Sequence, residues 1–341
     1  MVNKVSLKSL FLLLAAVSFP TFAECADVGF SAINQRHYII CGTTREYPYL
    51  AEKKDGNSKG FDVDICRAFA QSILQSDTSF KMVSVNPARA GEALSSGAVD
   101  VMLGHHIFSS AQEAQGYLSP VDTMYYDRLV FAARSKKGGA SSMKDYAGAK
   151  VCVAENSPAY DSLVSYNTKY ALGFSYLKFP LLSALKEAFY LRRCDLLAGD
   201  EVFVTGVVKD LHSDEAAVLP EEFGTIAVKS YVSGANNTLA IALRAVINAL
   251  KLAAQLNINS SNLEAFALDS SPSVRNLLGQ TPQYWQKLGL DTGWVSKYIA
   301  DYGNYSLILE RNLGTRSALG INMSRNLPYS EGGLLTASPL F

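Results

Sequence analysis

The 341-residue chain has the composition of a soluble globular protein, 48% hydrophobic and 18% charged, and is longer than one hydrophobic core usually organises. Its 31 Lys and Arg balance 31 Asp and Glu. No basic field attracts nucleic acid or an anionic membrane, so nucleic-acid partners are excluded and any membrane contact is expected to pass through another protein.

In chain order, Lys4 and Lys8 precede a short apolar run from Leu10 to Phe19, which Pro20 ends. The small-x-small stretch Thr21-Phe22-Ala23 then completes an export signal, cleaved near Ala23. The run is too short to span a bilayer. Glu24 ahead of Cys25 does not suit a lipoprotein signal, so a soluble periplasmic product is expected, with Cys25 unpaired. Export predicts an oxidising compartment. Cys41, Cys66, Cys152 and Cys194 allow three connectivities, and sequence order within lobes favours Cys41–Cys66 and Cys152–Cys194. No C-x-x-C or H-x-x-x-H spacing supports zinc, and neither metal nor cofactor is expected.

Strand-like and helical patterns then alternate, which predicts an α/β fold. His37 to Thr43 reads as a strand. Asp62 reads as the N-cap of a helix that carries Phe61, Ile65, Phe69 and Ile73 on one side. Phe80 to Val85 is the next strand, Pro87 opens a helix through Ser96, and Val99 to Leu103 is a buried strand. The apolar stretch Leu239 to Leu256 reads as a surface helix, because Arg244 and Lys251, seven apart, share one face.

The second part repeats the grammar of the first. Ser96-Gly97-Ala98-Val99-Asp100-Val101-Met102-Leu103-Gly104 parallels Leu191-Arg192-Arg193-Cys194-Asp195-Leu196-Leu197-Ala198-Gly199, each a turn, an Asp and an apolar strand ending in Gly. Two similar lobes follow, 24–131 with 228–341 and 132–227, joined by extended runs at Arg128–Arg134 and Thr225–Lys229 that suit hinge strands. In open α/β sheets ligands bind beyond the carboxyl ends of strands. The cleft is therefore expected between the loops Thr43–Tyr49, Gly104–Ser110, Glu155–Tyr160 and Gly199–Glu201.

On these loops the chain resembles the polar amino-acid branch of periplasmic solute-binding proteins, family 3. Glu46-Tyr47-Pro48-Tyr49 followed by Gly60-Phe61-Asp62-Val63-Asp64-Ile65 carries the resemblance. The general L-amino-acid-binding subfamily is closer still, through Asp64-Ile65-Cys66-Arg67, Tyr125-Tyr126-Asp127, Arg193-Cys194-Asp195 and the tail Glu310-Arg311-Asn312-Leu313-Gly314. The likeness covers residues 33 to 341, and the four inner cysteines fall where that subfamily carries cysteines. It implies a two-lobed type II periplasmic-binding-protein fold, each lobe a mixed sheet flanked by helices, with two hinge strands. It also implies a monomer that delivers its ligand to an ABC transporter permease.

The resemblance implies that Asp200 accepts the ligand's α-ammonium, that Ser109 supplies a hydroxyl, and that Tyr47, Tyr49 and Phe108 form aromatic walls. The family's carboxylate-gripping Arg falls on Gln112, which has no charge. The small residues before it fall on His105, His106 and Ile107. The second-lobe loop whose N–H groups help hold the carboxylate becomes Asn156-Ser157-Pro158, where Pro158 has no N–H. Ser157, Gln112 and His105 complete the candidate site. Arg45 or Arg128 is the candidate substitute cation, and Glu155 and Glu201 could add negative charge. The expected function is capture of a small polar, amine-bearing or amino-acid-like ligand with a degenerate carboxylate clamp. The alternatives are a non-transport sensor or accessory protein on the same fold, or a dehydratase-like enzyme pairing His105 with Glu155 or Glu201.

Overall fold

Apolar runs too short for helices pair as strands, and the amphipathic runs between them cover both faces of the resulting sheet. The computed structural model describes residues 28–54, 57–134, 143–211, 215–338 and 340, so the export signal and Cys25 lie outside the described residues. The first lobe holds α1 (Val28–Arg36), β1 (Ile39–Thr43), the hairpin β2 (Glu52–Lys54) and β3 (Asn57–Lys59), and α2 (Phe61–Leu74). It continues with β4 (Phe80–Ser84), α3 (Ala90–Ser95), β5 (Val101–Met102) and α4 (Ser110–Glu113). The long strand β6 (Leu118–Arg134) leads to β7 (Lys150–Ala154), α5 (Pro158–Tyr170), β8 (Ser175–Phe179), α6 (Leu182–Tyr190), β9 (Leu196–Asp200) and α7 (Glu201–Lys209). A second long strand, β10 (Ala216–Ser233), returns to α8 (Asn237–Gln255), α9 (Pro272–Leu277), α10 (Pro282–Gln286), α11 (Trp294–Tyr302) and α12 (Tyr305–Asn312).

The main sheet has the order β4-β1-β5-β10-β6-β9-β7-β8. Each half is three parallel strands closed by one antiparallel crossing strand, and the halves mirror one another. The repeat read from the sequence reappears in the hydrogen bonds. Asp100 N donates to Ile40 O and Asp100 Oδ2 accepts from Ile40 N; Asp195 N donates to Lys150 O and Asp195 Oδ2 accepts from Lys150 N. The two half-sheets are joined because β6 and β10 pair along nearly their whole lengths, through several register shifts. These strands contain the runs expected to cross between lobes.

Several local readings change. Gly60 is the N-cap of α2, at φ 131°, and a Cβ there would lie 2.3 Å from Leu50 O. Asp62 sits instead in the first turn, buried, and accepts from Thr43 Oγ1 at 2.7 Å. The run after Pro87 divides into a 3-10 turn, Pro87–Arg89, and α3. Only Val101 and Met102 of the third expected strand join the ladder. In α8, Arg244 lies at the surface and donates to the carbonyls of Val121 and Pro120, but Lys251 is buried and its Nζ donates to Asp122 Oδ2 at 2.9 Å and Thr123 O at 2.6 Å. Among the described residues α8 alone is long and apolar enough to cross a bilayer, and 67% of its most apolar window is buried in the fold.

The C-terminal segment reaches back to the crossing strands. Asn326 Oδ1 accepts from Tyr126 N at 2.6 Å and its Nδ2 donates to Tyr126 O at 2.8 Å. Arg325 binds the Glu222 carboxylate, at 2.9 and 3.1 Å, and Thr225 Oγ1 on β10.

Cys41–Cys66 ties β1 to α2, with Cα atoms 6.2 Å apart, and Cys152–Cys194 ties β7 to the turn before β9, at 5.7 Å. They span 25 and 42 residues. Loop-closure entropy then gives about 3–4 kcal/mol for each. Replacing either pair by alanines should lower unfolding free energy in urea by about that amount. A loss under about 1 kcal/mol would show that chain entropy is not how these bridges act.

Candidate functional site

The loops at the carboxyl ends of β1, β5, β7 and β9 meet around a cleft of about 240 Å³. Both lobes line it: Glu46, Tyr47 and His105 to Phe108 from one, Asn156 to Ala159, Gly199 and Asp200 from the other. Among its described lining residues there is no Lys or Arg.

Asp200 ends β9 and caps α7, so its carboxylate is built into the lobe. Its Oδ1 accepts from Phe203 N at 3.0 Å. Its Oδ2 accepts from Tyr47 Oη across the cleft at 2.7 Å. The His105 ring stacks on Tyr47, centroids 4.4 Å apart. His105 Nε2 lies 3.1 Å from Asp127 Oδ2 and 3.6 Å from Asp200 Oδ1, so one nitrogen faces two carboxylates. Asp127 Oδ1 in turn accepts from Glu201 N at 3.2 Å. Asp200, the expected ammonium acceptor, thus lies in the cleft lining with Tyr47, Phe203 and His105 around it.

Burial disfavours the charged imidazole of His105, but the Asp200 and Asp127 carboxylates outweigh it and raise its pKa to about 9. His105 is therefore the cation of the cluster. Burial raises Asp127, which the His105 hydrogen bond counters and the neighbouring Asp200 reinforces. Asp62, buried in the first turn of α2, is pushed to about 7 by burial, against hydrogen bonds from Thr43 and Gly104. Burial, then the Asp200 charge, drives the Tyr47 phenol well above its usual range, which keeps it a donor. His105, Asp127 and Asp200 also bring three possible metal-ligand atoms within 4.8 Å of one another. His105 Nε2 bonds Asp127 Oδ2 there, and the other three carboxylate oxygens each accept from one protein donor.

His106 also lines the cleft, although adjacent strand residues point to opposite faces. The reason is local. The ladder ends at Met102, and His105 adopts a left-handed φ of 55°, which turns the chain. Burial, then the charge on His105, lowers His106 to about 4, so it is neutral. Its Nε2 is buried without a hydrogen-bond partner.

Other expected site residues divide. Phe108 lines the cleft and packs edge-on against Tyr231. Gln112 lines it too, but its Oε1 accepts from Ser109 N at 2.9 Å, while Gln112 N donates to Ser109 Oγ. The two form the capping box of α4, and Ser109 does not line the cleft. Ser157 lines it as the N-cap of α5, accepting from Tyr160 N and donating to Ala154 O. Tyr49 is displaced from the expected wall and sits in a separate depression with Gly206, Lys186 and Asp210.

The charged candidates are corrected as well. Glu155 is exposed and outside the lining. Glu201 is buried and bound to Arg128, whose Nε donates to Oε2 at 2.8 Å. Neither pairs with His105 as an acid–base couple, and Arg128 is not free to grip a carboxylate. Arg45 is exposed and outside the lining. Glu46 and Asp127 lie outside the expected set of site residues. Glu46 is half-buried in the lining, and burial raises its pKa while the Leu182 N–H pulls it back. An Asp inside an otherwise apolar strand run was the available signal for Asp127.

Because His105 is raised in the folded protein, its stabilisation is complete below its unfolded value of 6.5 and is lost as pH rises through about 9. Urea unfolding at pH 6.5 and 9.5 should show a loss of about 3 kcal/mol that His105→Gln lacks. An equal loss in both proteins would remove His105 from the role of buried cation.

Residues 39–261 match the family described as bacterial extracellular solute-binding proteins, family 3. YhdW of Escherichia coli (strain K12) is 28% identical over 318 residues, covering 92% of this chain and 93% of the relative. The general L-amino acid-binding periplasmic protein AapJ of Rhizobium johnstonii is 26% identical over 314 residues, 91% and 92% of the two chains. A solved ABC transporter periplasmic binding protein from Brucella ovis with glutathione bound is 29% identical and covers 92% of this chain and 99% of its own, with a TM-score of 0.83. The matched segment holds all four strand-end loops and both crossing strands, and the chain belongs to the bacterial extracellular solute-binding proteins of family 3.

Proposed function

We propose that this chain is the periplasmic receptor of an ABC importer, and that it captures a small polar, amine-bearing or amino-acid-like solute without an arginine clamp on a carboxylate. The observation that carries this reading is the charge of the cleft. Glu46 and Asp200 line it, Asp127 stands behind them, and the described lining holds no Lys or Arg. A bound ammonium would exchange its hydration for charge-assisted bonds there, whereas a bound carboxylate would lose water and find one cationic group, His105, already engaged by Asp127 and Asp200. Relatives whose names record L-amino acids or glutathione as ligands agree with an amine-bearing solute. A second reading, a non-transport sensor or accessory protein, is favoured by Tyr47 and His105 filling the space around Asp200.

Three probes separate the two ends of an amino acid: L-glutamine, 4-aminobutanamide, which lacks its carboxylate, and glutaramic acid, which lacks its amine. An unpartnered buried carboxylate costs about 2–5 kcal/mol, so in calorimetry 4-aminobutanamide should bind roughly 30-fold or more tighter than L-glutamine. Glutaramic acid should not bind. Gln112→Arg should recover part of the affinity for L-glutamine. Tighter binding of L-glutamine than of 4-aminobutanamide to the unmodified protein would overturn the reading. No binding of any probe would favour the non-transport alternative.

A further inference from the structure

We propose that His105 is the specificity-determining residue of the cleft: its imidazolium holds the place beside Asp127 and Asp200 that a ligand's ammonium needs, so capture of an amine expels the proton on His105 Nε2 to solvent. The inference rests on the amine-bearing reading above.

The geometry carries it. His105 comes from the loop after β5, in one lobe, and Asp200 ends β9 in the other. His105 Nε2 lies 3.1 and 3.6 Å from oxygens of Asp127 and Asp200. The stacked Tyr47 ring fixes the imidazole's plane, and the Tyr47 hydroxyl fixes the carboxylate it faces. The groups around His105 are the carboxylates of Asp62, Asp127 and Asp200, the phenols of Tyr47 and Tyr125, and neutral His106. Glu201 is neutralised by Arg128. Among the described residues, Arg128 is the other cation near the cluster, within reach of Asp127's charge but bonded to Glu201, so His105 is the cation placed between the two carboxylates.

A second cation brought to the same two oxygens would meet the imidazolium at contact distance, where like charges repel strongly in a buried site. Loss of the Nε2 proton removes that repulsion and leaves a neutral ring, with Nε2 as an acceptor for the entering ammonium. Charge in the site is conserved: one ammonium enters and one proton leaves to buffer. The ordinary linkage relation then makes an amine bind more tightly as pH rises, by about tenfold per unit while His105 is protonated in the free protein. A neutral solute gains nothing from this exchange, so the cleft's preference between amines and neutral amides shifts with pH.

The test uses the full mature protein, with 4-aminobutanamide as probe. The chain has 4 histidines, so ring-nitrogen NMR can follow His105, assigned by its loss in His105→Gln. In the free protein at pH 7.5, His105 should be an imidazolium, and saturating probe should convert it to the neutral ring. Calorimetry in phosphate and in Tris should report about one proton released per probe bound, with the affinity rising between pH 6 and 8. In His105→Gln the probe should bind without proton release and with little pH dependence. The wild-type measurements decide the question even if the variant does not fold. Probe binding without proton release, or a neutral His105 in the free protein at pH 7.5, overturns the proposal and leaves the amine reading standing. No probe binding to either protein overturns the amine reading, and the proposal with it.

Discussion

A single buried imidazolium between two carboxylates is what the binding region is built around. Asp127 and Asp200 are both under a tenth exposed, where an ionised carboxylate without a counter-charge is costly. Every element nearby serves that pairing. The left-handed turn at His105 aims the ring, the start of α7 offers Glu201 N to one carboxylate and Phe203 N to the other, and Tyr47 bridges the gap between lobes. The same cluster sets the chemistry of the cleft, because the one positive charge it contains belongs to the protein.

How much of this was legible in the sequence depends on the range of the interaction. Strand period, the Asp that follows each turn and the glycine that ends each strand are local signals. They recover the doubled lobe, down to equivalent hydrogen bonds by Asp100 and Asp195. The cysteine pairings follow because each bridge closes within one lobe. The crossing strands are legible for a similar reason, as extended apolar runs standing apart from any helix.

The site was less legible, because its partners come from segments far apart in the chain. Asp200 and Tyr47 are both named by their loops, but nothing within either loop says that they bond to one another rather than to a solute. Ser109 and Gln112 read as cleft residues by position, yet S-x-x-Q is also a helix start, and the local cap claims both side chains. Tyr49 is two residues beyond Tyr47, and the 3-10 turn at Pro48–Leu50 carries it away to Gly206 and α7. Arg128 is a cation at the right end of a strand, and only the fold reveals that Glu201 consumes it.

The amide of Asn326 has a mechanical consequence for the first crossing strand. By pairing with both backbone groups of Tyr126 it acts as a short extra rung on β6, so the strand up to that residue is stiffened and moves rigidly with the C-terminal segment. The residues that follow, Asp127 to Leu129, pair with Ile226, Thr225 and Gly224 of β10, Arg325 holds Thr225 from the same C-terminal segment, and Leu129 meets Asp200 at the end of β9. Asp127 thus stands where the strand leaves the hold of the C-terminal segment and enters the charge cluster, so any torsion of the backbone at that point would displace its carboxylate directly, with almost no lever arm.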